Sequence, residues 1–139
     1  MITLEKILFL KSTALFKKVP DDVMETVANA FKEEHYPGDT LILKQGDIGV
    51  TLYIIITGKV KVHDNNQTIT ELGRHEVFGE LAALSPEKRI ASITSVEDTV
   101  VLKIDHDDLY ELIAMHVELA KGLIIVLCER VRQIAKQKE

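Results

Sequence analysis

The feature that most restricts the fold of this chain is a series of short apolar segments between residues 34 and 105, each ended by a turn signal. The turn signals are the runs YPGD, KQGDIG, ITGK, HDNNQ and ELGRHE, in which Gly, Asp and Asn recur. These residues favour tight turns, and the β-branched residues between them favour strands. Many short strands at regular spacing are typical of a small barrel or jelly roll, and not of a parallel sheet with crossover helices.

Two of the turns lie inside one long β segment, TLYIIITGKVKVHDNNQTITEL, which spans residues 51–72. Thr57-Gly58 and Asn65-Asn66 are its expected reversal points, because Gly and Asn adopt the positive φ that tight hairpin turns require. The segments RIASITS and TVVLKID then close the β zone. The sequence thus predicts consecutive antiparallel strands here.

Helical patterns flank the β zone on both sides. The first begins with Ile2, Leu4, Ile7 and Leu8 at helical spacing and continues in VPDDVMETVANAFK. After the β zone, DHDDLYELIAMH opens with acids that suit a helix N-terminus, and a longer helix follows. We expect one α+β, mainly β, domain over residues 1–139, with an N-terminal helical segment (1–33), a β region (34–105) and two C-terminal helices (106–139).

The last helix carries two apolar stripes. The first is a heptad seam with alternating spacings of three and four residues, formed by Val117, Ala120, Ile124, Leu127, Val131 and Ile134. The second stripe lies beside the seam and consists of Leu119, Leu123 and Val126. Two interpretations stay open: the helix packs wholly on its own domain, or the seam faces a second copy in a homodimer.

Composition limits the classes of partner and compartment. The 139 residues are 46% hydrophobic and 28% charged, which is ordinary for a globular chain. The net charge of −5 argues against broad nucleic-acid binding, and no apolar run reaches the roughly 20 residues that span a bilayer. Because Cys128 is the only cysteine, the chain suits a reducing compartment. We expect a cytoplasmic protein with no nucleic-acid partner by this chain alone and no membrane insertion.

The sequence offers no residue set for bond-making chemistry. Its five His residues are scattered and form no HxH or HxxxH pair of the kind that metal-dependent barrel enzymes use. No Ser-containing elbow, Walker loop or dinucleotide fingerprint occurs in it. We therefore expect no catalytic residue, no metal and no cofactor, and a chain that is not an enzyme.

The stretch FGELAALSPEKRIAS, residues 78–92, carries the candidate site. Gly79 permits a close backbone approach, and ELAAL begins a helical turn whose first N–H groups lack intrahelical partners. Arg89 can fork two N–H donors onto phosphate oxygens, whereas Glu80 suits a sugar hydroxyl. From spacing alone, two interpretations stay open: a pocket for one phosphate and one ribose, or a simple Glu80–Arg89 salt bridge.

This stretch resembles the phosphate-binding cassette of cyclic nucleotide-binding domains, whose pattern is F-G-E-[LIVM]-A followed by R-[AST]-A-[ST]. The preceding run YPGDTLILKQGDIGVTLYIIITGKVKV is similar to the family's succession of two Gly-Asp turns, a Tyr-x-Ile strand, a Gly and a Val-x-Val strand. Because these motifs occur in order, the resemblance spans nearly the whole chain. It implies an eight-stranded β jelly-roll barrel with N-terminal helices and two C-terminal helices that respond to ligand.

The resemblance also implies a role for each residue of the cassette. Glu80 would accept a hydrogen bond from the ribose 2′-hydroxyl, and Arg89 would bind the cyclic phosphate. The phosphate site would be completed by backbone groups around Gly79, Leu81, Ala82 and Ala91, with Ser92 beside them.

Two positions depart from the family pattern. Ile90 stands where a small or hydroxyl residue usually follows the Arg, and members that prefer cGMP have Thr or Ser there. Ile90 therefore argues against cGMP selectivity and narrows the phosphate site. A gapless count from Arg89 places Arg130 opposite an Arg that contacts the purine in the catabolite-activator branch, with Ile134 and Ala135 at the hydroxyl positions. Two roles stay open for Arg130: stacking on adenine, or a solvated helix residue.

These features predict a regulatory module that binds a cyclic nucleotide, cAMP, and has no catalysis of its own. Ligand occupancy would pass through the C-terminal helices to a second copy or to a fused or separate effector. No helix-turn-helix follows the last helix, so direct transcriptional control by this chain alone is not expected. The alternative is a degenerate jelly roll that has lost its ligand and acts in protein–protein interaction or dimerisation.

Overall fold

The structure, a computed structural model, describes residues 1–137 except the side chains of Glu80 and Leu81. The helices in this range are α1 (Thr3–Lys11), α2 (Asp21–Ala30), α3 (Glu80–Leu84), α4 (His106–Met115) and α5 (Val117–Gln137). The strands in it are β1 (Lys32–Tyr36), β2 (Leu41–Leu43), β3 (Ile48–Gly49), β4 (Thr51–Thr57), β5 (Val60–Asp64), β6 (Gln67–Leu72), β7 (Val77–Phe78), β8 (Glu87–Lys88), β9 (Ser92–Ser95) and β10 (Thr99–Asp105).

The strands form two four-stranded sheets and one small pair. The first sheet has the order β1-β10-β4-β7 and the second the order β2-β9-β5-β6, with every pairing antiparallel. The two-residue strands β3 and β8 pair only with each other among the described residues. The predicted mainly β jelly-roll class is confirmed. Its eight main strands form two open sheets instead of the closed barrel that was expected, and β3 and β8 add the further pair.

The two predicted reversal points behave differently. Asn65, at φ 54°, lies in the turn that joins β5 to β6, and the register there pairs Asp64 with Gln67 as a hairpin requires. At Gly58, with φ 96°, the chain instead passes from the first sheet to the second, so β4 and β5 do not pair. A side chain at Gly58 would lie 2.5 Å from the carbonyl oxygen of Asp98, so this crossover depends on a glycine.

Both large sheets contribute to one hydrophobic core. The first sheet supplies Tyr53, Ile55, Phe78 and Val101, and the second supplies Val60 and Ile93. All five residues at positions 52–56 are buried, so β4 is covered on both faces. This explains why its sequence is a continuous apolar run and does not alternate. We call this cluster the shared core.

The contacts of the chain divide it into two compact units. One comprises residues 30–110, with all the strands and α3, and the other comprises residues 1–29 and 111–139. The β region begins at Lys32, two residues before the predicted start, because the polar strand β1 pairs with β10 from Lys32 to Tyr36. The expectation of a single domain over 1–139 stays a prediction, and residues 138 and 139 lie outside the described residues.

The two apolar stripes of helix α5 differ in their exposure to solvent. Leu119, Leu123 and Val126 are 0%, 3% and 2% exposed, and beside them Gly122 approaches the carbonyl of Lys18 closely. The heptad seam behaves in the opposite way, since Ile124 is 58% and Val131 66% exposed. The helix therefore does not pack wholly on its own chain. None of the helices within residues 1–137 has both the length and the apolar character needed to cross a membrane.

Candidate functional site

A cavity of about 260 Å³ lies against the shared core. Its apolar walls include Phe78 and Ile93 of the core and Leu43 and Val62, which pack against that core. Five of the predicted site residues also line it, namely Gly79, Ala82, Arg89, Ile90 and Ala91. The remaining wall residues are Val77, Glu87 and Lys88. The structure thus brings most of the predicted cassette together around one cavity.

The guanidinium of Arg89 is held in a fixed position at this cavity. Its Nη2 donates a hydrogen bond of 3.0 Å to the carbonyl oxygen of Thr51, at the start of β4. Thr51 is itself fixed, because its hydroxyl donates to the Asp105 carboxylate at 2.7 Å. The charge of Arg89 also affects Tyr53. Burial raises the pKa of the Tyr53 hydroxyl, and the Arg89 charge opposes that rise. Arg89 is thereby attached to the first sheet.

Two glycines make room for the guanidinium. A side chain at Gly49 would lie 1.9 Å from Arg89 Nε, and one at Gly79 would lie 3.0 Å from Arg89 Nη1. At Gly79 the backbone also has φ 80°, and an added carbon would lie 2.4 Å from the carbonyl oxygen of Thr51. The guanidinium consequently packs directly on the backbone at both positions.

The turn of the predicted KQGDIG motif fixes the backbone of Arg89. Arg89 N donates to Asp47 O at 2.8 Å, and Gly46 N donates to Arg89 O at 2.9 Å. The Ser92 hydroxyl accepts a hydrogen bond from Gln45 N at 2.9 Å, and Ser92 is not among the wall residues of the cavity. In this structure Ser92 therefore holds the turn that holds Arg89.

The described walls of the cavity carry two cationic side chains, Lys88 and Arg89, and one carboxylate, Glu87. Within residues 1–137, no group of three or more His, Cys, Asp and Glu side chains could hold a metal ion. The site therefore offers a guanidinium beside apolar walls, a combination suited to an anion attached to an apolar or aromatic body.

Comparison with known proteins identifies the family to which this site belongs. Residues 33–116, more than half of the chain, match the family described as the cyclic nucleotide-binding domain. The chain belongs to this family. The match covers β1 from its second residue, all the other strands named above, the cavity and α4.

Relatives of this domain include both enzymes and receptors. The chain is 34% identical over 122 residues to human cGMP-dependent protein kinase 2, covering 83% of this chain and 16% of the kinase. It is 31% identical over 129 residues to the cyclic AMP receptor protein of Thermus thermophilus, covering 89% of this chain and 60% of the receptor. The chain therefore spans less than two thirds of the length of either relative.

A solved structure of the same fold covers nearly the whole chain. The crystal structure of the N-terminal domain of a transcriptional regulator from Streptomyces coelicolor superposes with a TM-score of 0.87 and 24% identity. The superposition covers 94% of this chain and 95% of that domain. At this identity the likeness confirms the fold.

Besides Ser92, three of the predicted site residues are not among the wall residues of the cavity. The side chains of Glu80 and Leu81 lie outside what the structure describes, so their roles stay predictions. Arg130 lies on α5 in the unit of residues 1–29 and 111–139, whereas every wall residue of the cavity belongs to the unit of residues 30–110. Its stacking on a base also stays a prediction.

Ile90 occupies the rim of the cavity and not its interior. It is a wall residue, yet it is 89% exposed. The expectation that Ile90 narrows the phosphate site does not fit this placement, because most of its side chain points into solvent. The other part of the prediction concerns selectivity and depends only on residue type, since an isoleucine side chain can form no hydrogen bond with a ligand at the rim.

The structure adds two groups of site residues that the sequence analysis missed. Leu43, Val62 and Ile93 belong to the apolar wall. Their signal was alternation with polar residues for Val62 and Ile93, and a short apolar run for Leu43. Gly49 and the Thr51 carbonyl hold Arg89. The second glycine of KQGDIG was a signal for Gly49, whereas a backbone carbonyl such as that of Thr51 leaves no mark in a sequence.

Proposed function

We propose that this chain binds a cyclic nucleotide, cAMP, in the cavity against the shared core, and that it is a regulatory module without catalysis of its own. The observation that carries the proposal is the placement of Arg89. Its guanidinium stands at the cavity wall, held by the Thr51 carbonyl and packed on two glycines. A cation fixed in this way is ready to bind a phosphate without further ordering of its side chain.

The rest of the cavity suits the remainder of such a ligand. A volume of about 260 Å³ falls just below the usual range of small-molecule pockets, about 300–1,000 Å³, so a compact ligand is favoured. Leu43, Val62 and Ile93 offer apolar surface to a sugar or a base. In the proposal, Glu80 accepts a hydrogen bond from the ribose and Arg130 stacks on the purine.

The choice of cAMP over cGMP depends on Ile90. The names of the relatives point both ways, since one is a cGMP-dependent kinase and another a cyclic AMP receptor. Where cGMP-preferring members have Thr or Ser, this chain has an apolar side chain at the exposed rim. Because Ile90 cannot hydrogen-bond to a guanine, it favours the adenine nucleotide.

Regulation requires that ligand occupancy reach a partner. In the proposal, the C-terminal helices pass occupancy to a fused or separate effector in the cytoplasm. Helix α4 is a continuous path for this, because it begins at His106 in the unit that contains the cavity and ends at Met115 in the other unit.

Isothermal titration of the purified chain with cAMP, cGMP and 5′-AMP tests the proposal. We expect cAMP to bind most tightly, and Arg89→Ala to weaken it by about 30-fold or more. The reason is that removing one partner of a buried charge pair costs about 2–5 kcal/mol. Lys88→Ala is the matched control, because it removes a neighbouring but exposed cation from the same cavity wall.

Lys88→Ala should change the affinity by less than about fivefold, as expected for an exposed charge. Absence of binding to any of the three nucleotides would contradict the proposal. Equal losses in Lys88→Ala and Arg89→Ala would contradict the role of Arg89 while leaving the ligand assigned.

A second function, self-association, is supported by α5. This helix carries an apolar groove of about 330 Å³, which is lined by Ile124, Leu127, Cys128, Val131 and Arg132. Three of them belong to the heptad seam, of whose six residues four are exposed and two half-buried. A repeat of this kind is suited to pairing with a second copy. A homodimer through α5 is compatible with ligand binding, and it is also the expected role of a domain that has lost its ligand.

A further inference from the structure

Helix α3, which carries part of the cavity wall, is too short to be stable on its own. It spans only Glu80–Leu84, and a backbone hydrogen bond of 3.1 Å joins Ala83 N to Gly79 O, just before the helix. Isolated helices shorter than about 12 residues are marginal in water. The last carbonyls of a helix also lack partners within it. The geometry of α3 therefore depends on groups elsewhere in the chain.

Two side chains from the first half of α4 supply such groups. His106 Nδ1 lies 2.6 Å from the carbonyl oxygen of Ala83, and the Tyr110 hydroxyl donates to the carbonyl oxygen of Leu84 at 2.5 Å. His106 and Tyr110 are four residues apart and so lie on the same face of α4, and their rings contact each other with centroids 4.4 Å apart. We call this pair of hydrogen bonds the α3–α4 tie.

The chemistry of the tie fixes the tautomer of His106. A carbonyl oxygen only accepts, so Nδ1 of His106 must carry the hydrogen. Both the neutral Nδ1–H ring and the imidazolium satisfy this condition. The tie can consequently persist whether or not His106 is charged.

The same stretch of chain also holds the support of Arg89. His106 N donates to Val50 O at 2.7 Å, and the carboxylate of Asp105 accepts from the Thr51 hydroxyl. Thr51 O in turn accepts from Arg89. Residues 105–110 thus bond both to α3 and to the start of β4, where Thr51 holds Arg89.

We propose that His106 and Tyr110 are positioning residues of the nucleotide site, which fix α3 through the α3–α4 tie and so set the affinity of the cavity. The part that concerns affinity rests on the proposed function. The part that concerns α3 does not, because both bonds of the tie join groups of the chain itself. Loss of the tie should free the end of α3 and leave the rest of the sheets unchanged.

The first test needs no ligand. Amide hydrogen exchange, read residue by residue by NMR, is measured in wild type, Tyr110→Phe and His106→Phe. Exchange within α3 should accelerate by about 3- to 10-fold, the effect of losing one side-chain hydrogen bond. Tyr110→Phe removes only a hydroxyl, so it changes little besides the tie. His106→Asn should restore slow exchange, because its amide nitrogen can take the place of Nδ1.

The second test measures cAMP affinity in the same variants by titration. Tyr110→Phe and His106→Phe should each weaken binding by about 3- to 10-fold, and His106→Asn should bind as wild type does. His63→Phe is the matched control. It also removes a ring nitrogen bonded to a carbonyl, that of Asn65 at 2.6 Å, together with a bond of 2.7 Å to the Thr94 hydroxyl. His63 lies on β5, and neither bond reaches α3.

The outcomes separate this inference from the proposed function. Faster exchange confined to α3 together with weaker binding supports the inference. Unchanged α3 exchange and unchanged affinity in Tyr110→Phe and His106→Phe overturn it while nucleotide binding stands. Faster exchange throughout the sheets, or an equal loss of affinity in His63→Phe, also overturns it. If wild type binds no nucleotide, the proposed function and the affinity part of the inference both fail, and the exchange test alone decides the role of the tie in α3.

Discussion

The two glycines at Arg89 have different tolerances for a side chain. At Gly49 the three atoms nearest to an added carbon are Nε, Cζ and Cδ of Arg89, so the substitution would displace this side chain from its position. At Gly79 it would lie 2.4 Å from the backbone oxygen of Thr51, and the φ of 80° is unfavourable for any residue with a Cβ. A substitution at Gly49 is therefore expected to affect mainly the position of the guanidinium, whereas one at Gly79 affects the backbone as well.

Gly79→Ala should consequently weaken both folding and binding. Holding an alanine at positive φ costs about 1–3 kcal/mol, and the contact with Thr51 adds to that cost. The free energy of unfolding from urea denaturation should fall by at least about 1 kcal/mol. The affinity for cAMP should fall as well, because the carbonyl that holds Arg89 must move.

Gly73→Ala is the control for this prediction. Gly73 lacks the positive φ of Gly79, and the nearest atom to an added carbon is the Gly58 oxygen at 3.9 Å. Its stability should remain within about 0.5–1 kcal/mol of wild type. A Gly79→Ala protein as stable as Gly73→Ala would show that the backbone around Thr51 relaxes more easily than its hydrogen bonds suggest.

At the scale of elements, an ion pair links strands β1 and β10. Lys103 and the Glu34 carboxylate form a salt bridge, with about a third of each side chain exposed. The hydrogen bond from Lys103 holds the pKa of Glu34 below its ordinary value of 4.5, and the same bond raises the pKa of Lys103 above 10.5. The two shifts agree in sign, since each stabilises the charged form of its group.

Glu34→Gln should lower stability near neutral pH and much less in acid. A carboxyl with a depressed pKa stabilises the fold above its unfolded pKa, and this contribution is lost as the pH falls through the folded pKa. The raised pKa of Lys103 has the opposite pH dependence. The stability that Lys103 contributes is complete below about pH 10 and is lost as the pH rises through the pKa of Lys103 in the folded state. For a pair this exposed, we expect a loss of about 0.5–1 kcal/mol at pH 7, measured by urea unfolding.

Repeating the measurement below pH 4 should bring Glu34→Gln and wild type together. Glu71→Gln is the matched control, because the Glu71–Lys59 pair is 3.9 Å apart with both side chains about half exposed. Glu71→Gln should lower the free energy of unfolding at pH 7 by less than Glu34→Gln does. A deficit in Glu34→Gln that is the same at both pH values would mean that the carboxylate charge is not its cause.

The elements that the sequence predicted well are those whose signal is local. The turn at Asn65-Asn66 and the two stripes of α5 follow from residue type and spacing alone. The crossover at Gly58 was not predictable, because a glycine between two apolar strands is also the mark of a hairpin. The start of β1 was missed because KEEHY is polar and becomes a strand only by pairing with β10.

At the scale of the whole molecule, the sequence predicted the parts of the site that are side chains in one continuous stretch. Arg89 and Gly79 were found in this way, and both line the cavity. The groups that hold the site come from distant positions: the carbonyl of Thr51 holds Arg89, and the donors His106 and Tyr110 hold α3. DHDDLYELI predicted only a helix start, since the carbonyls that its side chains bind belong to residues more than 20 positions earlier.

The exposed seam of α5 leads to the prediction for the assembled molecule. Ile124 and Val131 are more than half exposed in a groove with almost no polar surface, an arrangement that a second copy of the helix would cover. Sedimentation should therefore find the wild-type chain as a dimer. Ile124→Glu should convert it to a monomer, because an unpaired carboxylate buried at the seam raises the dimer dissociation constant by about 100-fold or more.

Gln133→Glu is the control for this substitution. It adds the same charge to an exposed position of α5 that is not part of the seam, so the dimer should persist. A wild type that is monomeric at high concentration, or an Ile124→Glu protein that remains dimeric, would exclude the seam as an interface between copies.

Titration of the Ile124→Glu monomer with cAMP then decides whether nucleotide binding and dimerisation are independent. Since all wall residues of the cavity lie in residues 43–93, we expect its affinity to remain within a fewfold of wild type unless Arg130 or the partner copy contributes to the site.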